Sequence, residues 1–168
     1  AIAPWYLAAF GLLLLVLPQI DMNRWSPAVL GLTHLLMLGF MGNIMLGAVI
    51  QMAAVVAGVP VEKHWRYGKA AFWGFQIGVV SLVTGLSLTI GHLLQIAGVL
   101  LLLSLAPVVV RMGFDLLQAE ANDPTTKGMK FAVSSLIVTL SLGFLLTLWI
   151  GWGVTLPAML LLGLHIVW

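Results

Sequence analysis

Long apolar stretches alternate with short polar segments along the chain, and this pattern predicts membrane-spanning helices. A helix that crosses a bilayer needs about 20 apolar residues, and the polar segments divide the chain into runs of roughly that length. The sequence therefore predicts an all-α, polytopic transmembrane helical bundle with about six spans. We expect helices over residues 3–20, 26–60, 70–88, 91–117 and 131–149, followed by a sixth that opens at Thr155–Pro157.

The segments between these runs are short, so we treat residues 1–168 as a single transmembrane bundle. Ser26 and Pro27 are typical of a helix start, with serine as the N-cap and proline in the first turn. The chain begins without methionine and stops three residues after His165, within an apolar run. We therefore expect its end to be incomplete, and the bundle to be part of a larger one or a small protein of its own.

Composition supports a membrane protein and excludes several other classes. Hydrophobic residues make up 62% of the chain and charged residues 7%, whereas about a quarter of the residues in soluble domains are charged. Lipid is therefore an expected partner. The net charge of +2 is too small for binding to nucleic acid. Because the chain has no cysteine, any metal must be held by His, Met, Asp or Glu.

The basic residues predict the orientation. Cytoplasmic loops of membrane proteins are enriched in Lys and Arg, and here six of the seven basic residues fall on one side, whereas Arg24 lies on the other. We therefore expect an integral protein of a bacterial or archaeal inner membrane, with a cytoplasmic N-terminus. The six residues on the predicted cytoplasmic side are Lys63, Arg66, Lys69, Arg111, Lys127 and Lys130.

Three of the four histidines fall toward the predicted outer side. His34 follows Pro27 by seven residues, His165 follows Pro157 by eight, and His92 lies where the fourth predicted helix begins. A neutral imidazole on a helix is a common ligand of haem iron or copper, and two helices can hold one haem between them. The alternative is that each histidine forms a hydrogen bond between helices. We assign His64 to the cytoplasmic loop.

Methionines accompany His34 along its helix. At 100° per residue, Met37 and Met41, followed by Met45 and Met52, fall on the face of His34. A polarizable surface beside an imidazole suits a flat porphyrin, so Met37 and Met41 are candidate cofactor contacts. Two alternatives are methionines that fill a helix interface and a site for soft Cu(I). Three glycines are expected to leave clearance around this helix: Gly39, Gly42 and Gly47.

Two segments of the sequence support a family resemblance. The segment from His34 through Met37, Phe40 and Asn43 to the sequence Gly-Val-Pro resembles the second transmembrane helix of the subunit I superfamily of haem-copper oxidases, especially its cbb3-type and truncated subunit I-like members. The resemblance implies that His34 is an axial ligand of a low-spin haem. The chain end around His165 is similar to the segment where the family places a copper ligand. The second and sixth predicted helices also share a faint echo, SPAVLGLTHLL and LPAMLLLGLHIV.

The departures from this family limit what the resemblance implies. A complete oxidase subunit has about twelve spans and further paired histidines, so this chain alone is not expected to reduce oxygen. We predict a haem b-binding membrane subunit for electron transfer or redox chemistry. Its ligands would be His34 and His165, with His92 third, and copper is an alternative metal for His165.

Several alternatives to that function stay open. The chain is also similar to nitric-oxide-responsive haem proteins of the NnrS type. A small transporter or a structural subunit without haem remains the contrasting class, and Pro107 is the internal proline that suggests a discontinuous helix. Expected partners are other membrane subunits or further copies of the chain, and a quinol or a cytochrome as redox partner.

Other polar residues suggest little further chemistry. Asp115 follows Arg111 by four residues, which predicts an ion pair along one helix. Three of the glutamines in the predicted spans would either line a polar path or bond between helices: Gln51, Gln76 and Gln95.

Overall fold

The computed structural model describes residues 2–16, 23–56, 65–119 and 123–167, and within these ranges the chain is helical with no strand. The second predicted helix is continuous but contains a π-helical segment. In chain order the elements are α1 (Ala3–Val16), α2 (Pro27–His34), the π segment (Leu35–Gly42), α3 (Asn43–Val56), α4 (Trp65–Ser87), α5 (Gly91–Gln118), α6 (Pro124–Trp152) and α7 (Ala158–Val167).

Four of these helical stretches are long and apolar enough to cross a membrane: Pro27–Val55, Gly68–Ser87, Gly91–Gln118 and Pro124–Trp152. The prediction of an all-α integral membrane protein is therefore confirmed. The apolar helices α1 and α7 are shorter, with 14 and 10 residues. The count of six spans stays a prediction.

Two helices begin earlier than the apolar pattern indicates. α6 begins at Pro124 rather than near residue 131, because Asp123 is its N-cap and accepts hydrogen bonds from the backbone N–H groups of Thr125 and Thr126, at 2.9 and 3.0 Å. α4 begins at Trp65 rather than near residue 70. Hydropathy locates the part of a helix inside the membrane, whereas its end is set by the capping residue.

The start of α2 agrees with the sequence. Ser26 is the N-cap, Pro27 occupies the first turn, and the Ser26 hydroxyl accepts a hydrogen bond from the N–H of Val29 at 3.3 Å. The predicted boundary between the helices over 70–88 and 91–117 is also found, since α4 ends at Ser87 and α5 begins at Gly91.

Small residues allow close approach of neighbouring helices. A methyl group placed on Gly31 of α2 would collide with the Ser87 hydroxyl of α4, and one placed on Gly98 of α5 would collide with the Thr147 hydroxyl of α6. Membrane helices commonly pack through small residues, because lipid provides little hydrophobic drive for association. The sequence α2, α4, α5, α6, α7 is thus also an order of packed neighbours.

The helix α5 continues through Pro107 from Gly91 to Gln118. A proline in a helix interior removes one backbone hydrogen bond and commonly kinks the helix. Here it does not divide the element, so the discontinuous helix that would favour a transporter is not found at this position.

The two ends of the bundle differ in chemistry. The contact of Gly31 with Ser87 places the start of α2 beside the end of α4, and Gln95 of α5 donates a hydrogen bond at 2.7 Å to the carbonyl of Gly151 near the end of α6. We call this end, which carries His34, the histidine end. The charged residues in the described ranges other than Arg24 belong to the opposite end: Arg66, Lys69, Arg111, Asp115, Asp123, Lys127 and Lys130.

Candidate functional site

His34 is the last residue of α2 and directly precedes the π segment. Its Nδ1 lies 2.8 Å from the carbonyl oxygen of Leu30, one turn earlier. A carbonyl oxygen only accepts hydrogen bonds, so Nδ1 carries the proton and the lone pair of the neutral ring resides on Nε2. Metal-binding histidines commonly use this arrangement, in which one nitrogen donates to a backbone carbonyl and the other binds the metal.

His165, on α7, lies beside His34. The two ring centroids are 6.4 Å apart and the ring planes differ by 10°. Both residues are about two helical turns from the starts of their helices, which corresponds to a depth of about 10–12 Å along the helix axis. The structure therefore brings together the two histidines that the sequence ranks first as ligands.

The centroid distance can be compared with that of a shared metal. A bond between a metal and an imidazole nitrogen is about 2.0–2.1 Å long, and the nitrogen lies about 1.1 Å from the ring centre, so two imidazoles on opposite sides of one metal have centroids about 6.3 Å apart. The observed 6.4 Å is close to this value. The range for offset aromatic pairs, about 4.5–7 Å, also includes it, so a helix-bridging contact is the competing interpretation.

The surroundings of His165 suit a ring that has a ligand role. Its Nδ1 is buried and has no hydrogen-bond partner among the described residues. A buried polar nitrogen without a partner costs about 1–3 kcal/mol. On α6, Gly143 faces the ring, and a methyl group there would lie 3.5 Å from His165 Cε1. The absence of a side chain at Gly143 thus leaves room for the imidazole between α6 and α7.

The methionines near His34 do not fill a helix interface. Met37 and Met41 are 52% and 42% exposed, and Met45 and Met52 are similarly exposed. The interface-filling alternative therefore does not account for them within this chain. Met37 also lines an open cavity of about 240 Å³ between α1 and α2, together with Phe10, Leu14, Val29, Leu32, Thr33 and Leu36.

The predicted glycine clearance is found at one position and not at another. Gly39 is covered by the ring of Tyr6, where an added methyl group would lie 2.5 Å from Tyr6 Cδ1, whereas Gly47 has open space around it. Gly39 thus serves the packing of α1 against the π segment.

His92 occupies a different environment from the other two histidines. It is exposed at the start of α5, where its Nδ1 lies 3.3 Å from Gln95 Oε1. Gln95 in turn binds the Gly151 carbonyl. These contacts account for a histidine at position 92 without a cofactor, so His92 can serve as a control for substitutions of His34 and His165. His64 lies outside the described residues.

In the described ranges, no group of three or more His, Cys, Asp or Glu side chains could hold a metal ion. The pair of His34 and His165 has only two such side chains, so this finding does not bear on it. The predicted ion pair is present, with Arg111 Nη2 2.8 Å from Asp115 Oδ1.

Gln76 bonds between helices, which is one of the two alternatives for the glutamines, but its partner was not predicted. Asn43, the first residue of α3, and Gln76 of α4 form two side-chain hydrogen bonds, from Gln76 Nε2 to Asn43 Oδ1 at 2.8 Å and from Asn43 Nδ2 to Gln76 Oε1 at 3.4 Å. The sequence offered two amides on α3, Asn43 and Gln51, and Gln76 on α4. It did not identify Asn43 as the partner, because the number of residues between the two α2/α3–α4 contacts differs by one between the helices.

The chain matched no protein-family model, no curated protein and no solved structure.

Proposed function

We propose that this protein binds one b-type haem with His34 and His165 as its two axial ligands, and that it serves electron transfer within the membrane. The observation that carries the proposal is the pair of nearly parallel imidazoles with centroids 6.4 Å apart. The hydrogen bond from His34 Nδ1 to Leu30 adds to it, because it leaves Nε2 available to a metal.

The residues of the site fit such a group. Leu30 fixes the tautomer and orientation of His34, while Gly143 leaves room for His165. Met37 and Met41, in the π segment that follows His34, are exposed and offer a polarizable surface. A bound haem supplies one-electron redox chemistry, and two axial histidines would leave no open position for a gas. This favours electron transfer over gas sensing of the NnrS type, and haem iron over copper for His165.

The membrane arrangement is part of the proposal. Basic residues gather at the end of the bundle opposite the histidines, which by the positive-inside tendency would place the histidine end at the outer side and the N-terminus in the cytoplasm. The protein would then act as a haem-copper-oxidase-like subunit of a bacterial or archaeal inner membrane. It would exchange electrons with a quinol or a cytochrome and associate with other membrane subunits or with its own copies.

The test is a reduced-minus-oxidised visible spectrum of the detergent-purified protein together with a pyridine haemochrome assay. We expect a sharp α band in the wild type and its loss in both His34→Ala and His165→Ala. His92→Ala is the matched control, because His92 is exposed and bonded to Gln95, and it should keep the band. Size-exclusion chromatography and circular dichroism establish that each variant is folded.

Other outcomes would separate the alternatives. Loss of the band only in His34→Ala would indicate that His34 binds the iron and His165 does not. The gas-binding function would then be favoured over electron transfer. A folded, colourless wild type that takes up no haem during expression or reconstitution would contradict the proposal and favour a helix-bridging histidine pair in a transporter or structural subunit.

A further inference from the structure

The π segment lies between two contacts that join the second helix to α4. On one side of the segment, Gly31 packs against Ser87; on the other, Asn43 forms hydrogen bonds with Gln76. Asn43 follows Gly31 by 12 residues, whereas Ser87 follows Gln76 by 11. Two antiparallel α-helices that meet at both points would need equal spacings.

The π segment accommodates the extra residue. In an α-helix, successive residues turn by about 100°, so Asn43 would lie about 120° around the helix from Gly31 and would miss the α4 face. A π-helical stretch uses i to i+5 hydrogen bonds and absorbs one additional residue. Asn43 then lies within about 20° of Gly31, which matches the 11-residue interval on α4.

A polar side chain satisfies the backbone near the end of this segment, since Asn43 Nδ2 donates to the carbonyl of Gly39 at 2.7 Å. On the facing helix α4, the Tyr6 hydroxyl donates to the carbonyl of Gln76 at 3.5 Å. Gln76 is only 4% exposed. Within a bilayer, backbone groups released from regular α-helical bonding must find partners inside the protein. The amide pair therefore holds both the π segment and the α2–α4 register.

We infer that Asn43 and Gln76 are positioning residues for His34, and this inference rests on the proposed haem function. His34 directly precedes the π segment. If the segment reverted to α-helix with its extra residue retained, the part carrying His34 would turn by about 100° relative to α3. His34 would then leave the face that it shares with His165.

The first arm of the experiment measures haem binding in Asn43→Leu, Gln76→Leu and the double variant. We expect haem affinity to fall by about 10–100-fold, as is typical when residues that orient metal ligands are replaced, together with a changed low-spin electron paramagnetic resonance signal. In the double variant both amides are replaced by apolar groups, so it leaves no unpaired amide. Gln51→Leu is the matched control, because Gln51 is an exposed amide on α3, and it should bind haem normally.

The second arm restores the register by deletion. Asn43→Leu combined with deletion of Leu36, a half-buried residue of the π segment with no proposed contact to haem, makes the spacing from Gly31 to position 43 equal to that on α4. We expect this variant to regain the low-spin signal. If haem binding in Asn43→Leu equals that of the wild type, or if the deletion restores nothing, the inference is wrong.

A third arm works without haem. The chain contains no cysteine, so His34→Cys and His165→Cys introduce a unique pair for a short bismaleimide. Asn43→Leu should lower the crosslinking yield, and deletion of Leu36 should restore it. A colourless wild type with this crosslinking pattern would contradict the haem proposal while supporting the positioning role, whereas unchanged crosslinking would overturn that role.

Discussion

The imidazole of His165 lies against Gly143, and no side chain separates the ring from α6. A methyl group at Gly143 would lie 3.5 Å from Cε1, an ordinary contact distance, but a larger group would occupy the volume of the ring. Gly143→Ala should therefore preserve the haem spectrum, whereas Gly143→Leu should shift or abolish the α band. The measurement is the visible spectrum with haem quantified per protein.

A glycine with free surroundings provides the control for this substitution. Gly128 of α6 has no neighbouring atom in the space that a methyl group would fill, so Gly128→Leu should leave the spectrum unchanged. Equal spectra for Gly143→Leu and Gly128→Leu would contradict the assignment of Gly143 to the histidine pocket.

The contact of Gly98 with Thr147 predicts a stability effect. Gly98→Ala forces a methyl group against the Thr147 hydroxyl, and overpacking of this kind typically costs about 1–3 kcal/mol. We expect a corresponding decrease in the free energy of unfolding, measured by steric trapping in detergent or bicelles. Gly47→Ala, at an open position, should not decrease it. An undiminished stability in Gly98→Ala would show that α5 and α6 can separate without penalty.

Gln95 connects α5 to α6 through its bond to the Gly151 carbonyl. Hydrogen bonds between membrane helices contribute about 0.6 kcal/mol on average, so Gln95→Leu should lower the free energy of unfolding by about that amount. The comparison is with Gln51→Leu, which removes an exposed amide. His92 is bonded to Gln95 and not to His34 or His165, so Gln95→Leu should leave the haem spectrum unchanged. Loss of the α band in this variant would contradict the placement of His92 outside the haem site.

The N-cap of α6 predicts a pH dependence. The Thr126 hydroxyl, 2.7 Å from Asp123 Oδ2, is the main cause of a lowered pKa at this carboxyl, and the N–H groups of Thr125 and Thr126 add to it. A lowered folded-state pKa means that the carboxylate stabilises the helix start above the unfolded-state pKa, and that this contribution disappears as pH falls through the folded-state value.

Hydrogen exchange checks this prediction. At neutral pH, the amides of Thr125 and Thr126 should be better protected in the wild type than in Asp123→Ala. Below the folded-state pKa the charge contribution is gone, so protection should approach that of Asp123→Asn. A wild type whose protection exceeds that of Asp123→Asn equally at neutral and at acidic pH would contradict a role for the charge.

Sequence reasoning succeeded where local chemistry or hydropathy determines the outcome. Ser26–Pro27 starts a helix as predicted, the i,i+4 pair of Arg111 and Asp115 forms, and the helical membrane class is confirmed. It placed the start of α6 seven residues late, because Asp123–Pro124 caps a helix in a polar segment that hydropathy assigns to a linker.

The arrangement around His34 could be predicted only in part. Similar depths of His34 and His165 followed from the prolines that open their helices, and the structure places the two rings together. The Asn43–Gln76 pair did not follow, since a uniform 100° rotation assigns Asn43 to the wrong face. The π segment changes this rotation, and the residues that contact it are distant in sequence: the Tyr6 ring covers Gly39, and Gln76 bonds to Asn43 at the end of the segment.

The early start of α6 makes it a helix of 29 residues, about 43 Å long, whereas the hydrocarbon layer is about 30 Å thick. We therefore expect its first turns to extend into the headgroup layer even if the helix is tilted, and Lys127 and Lys130 would meet lipid phosphates there. Anionic lipids would therefore hold this end of α6 at a fixed height in the bilayer. A change in bilayer thickness would then alter the distance of the histidine pair from the opposite membrane surface, but not its distance from the surface that the two lysines contact.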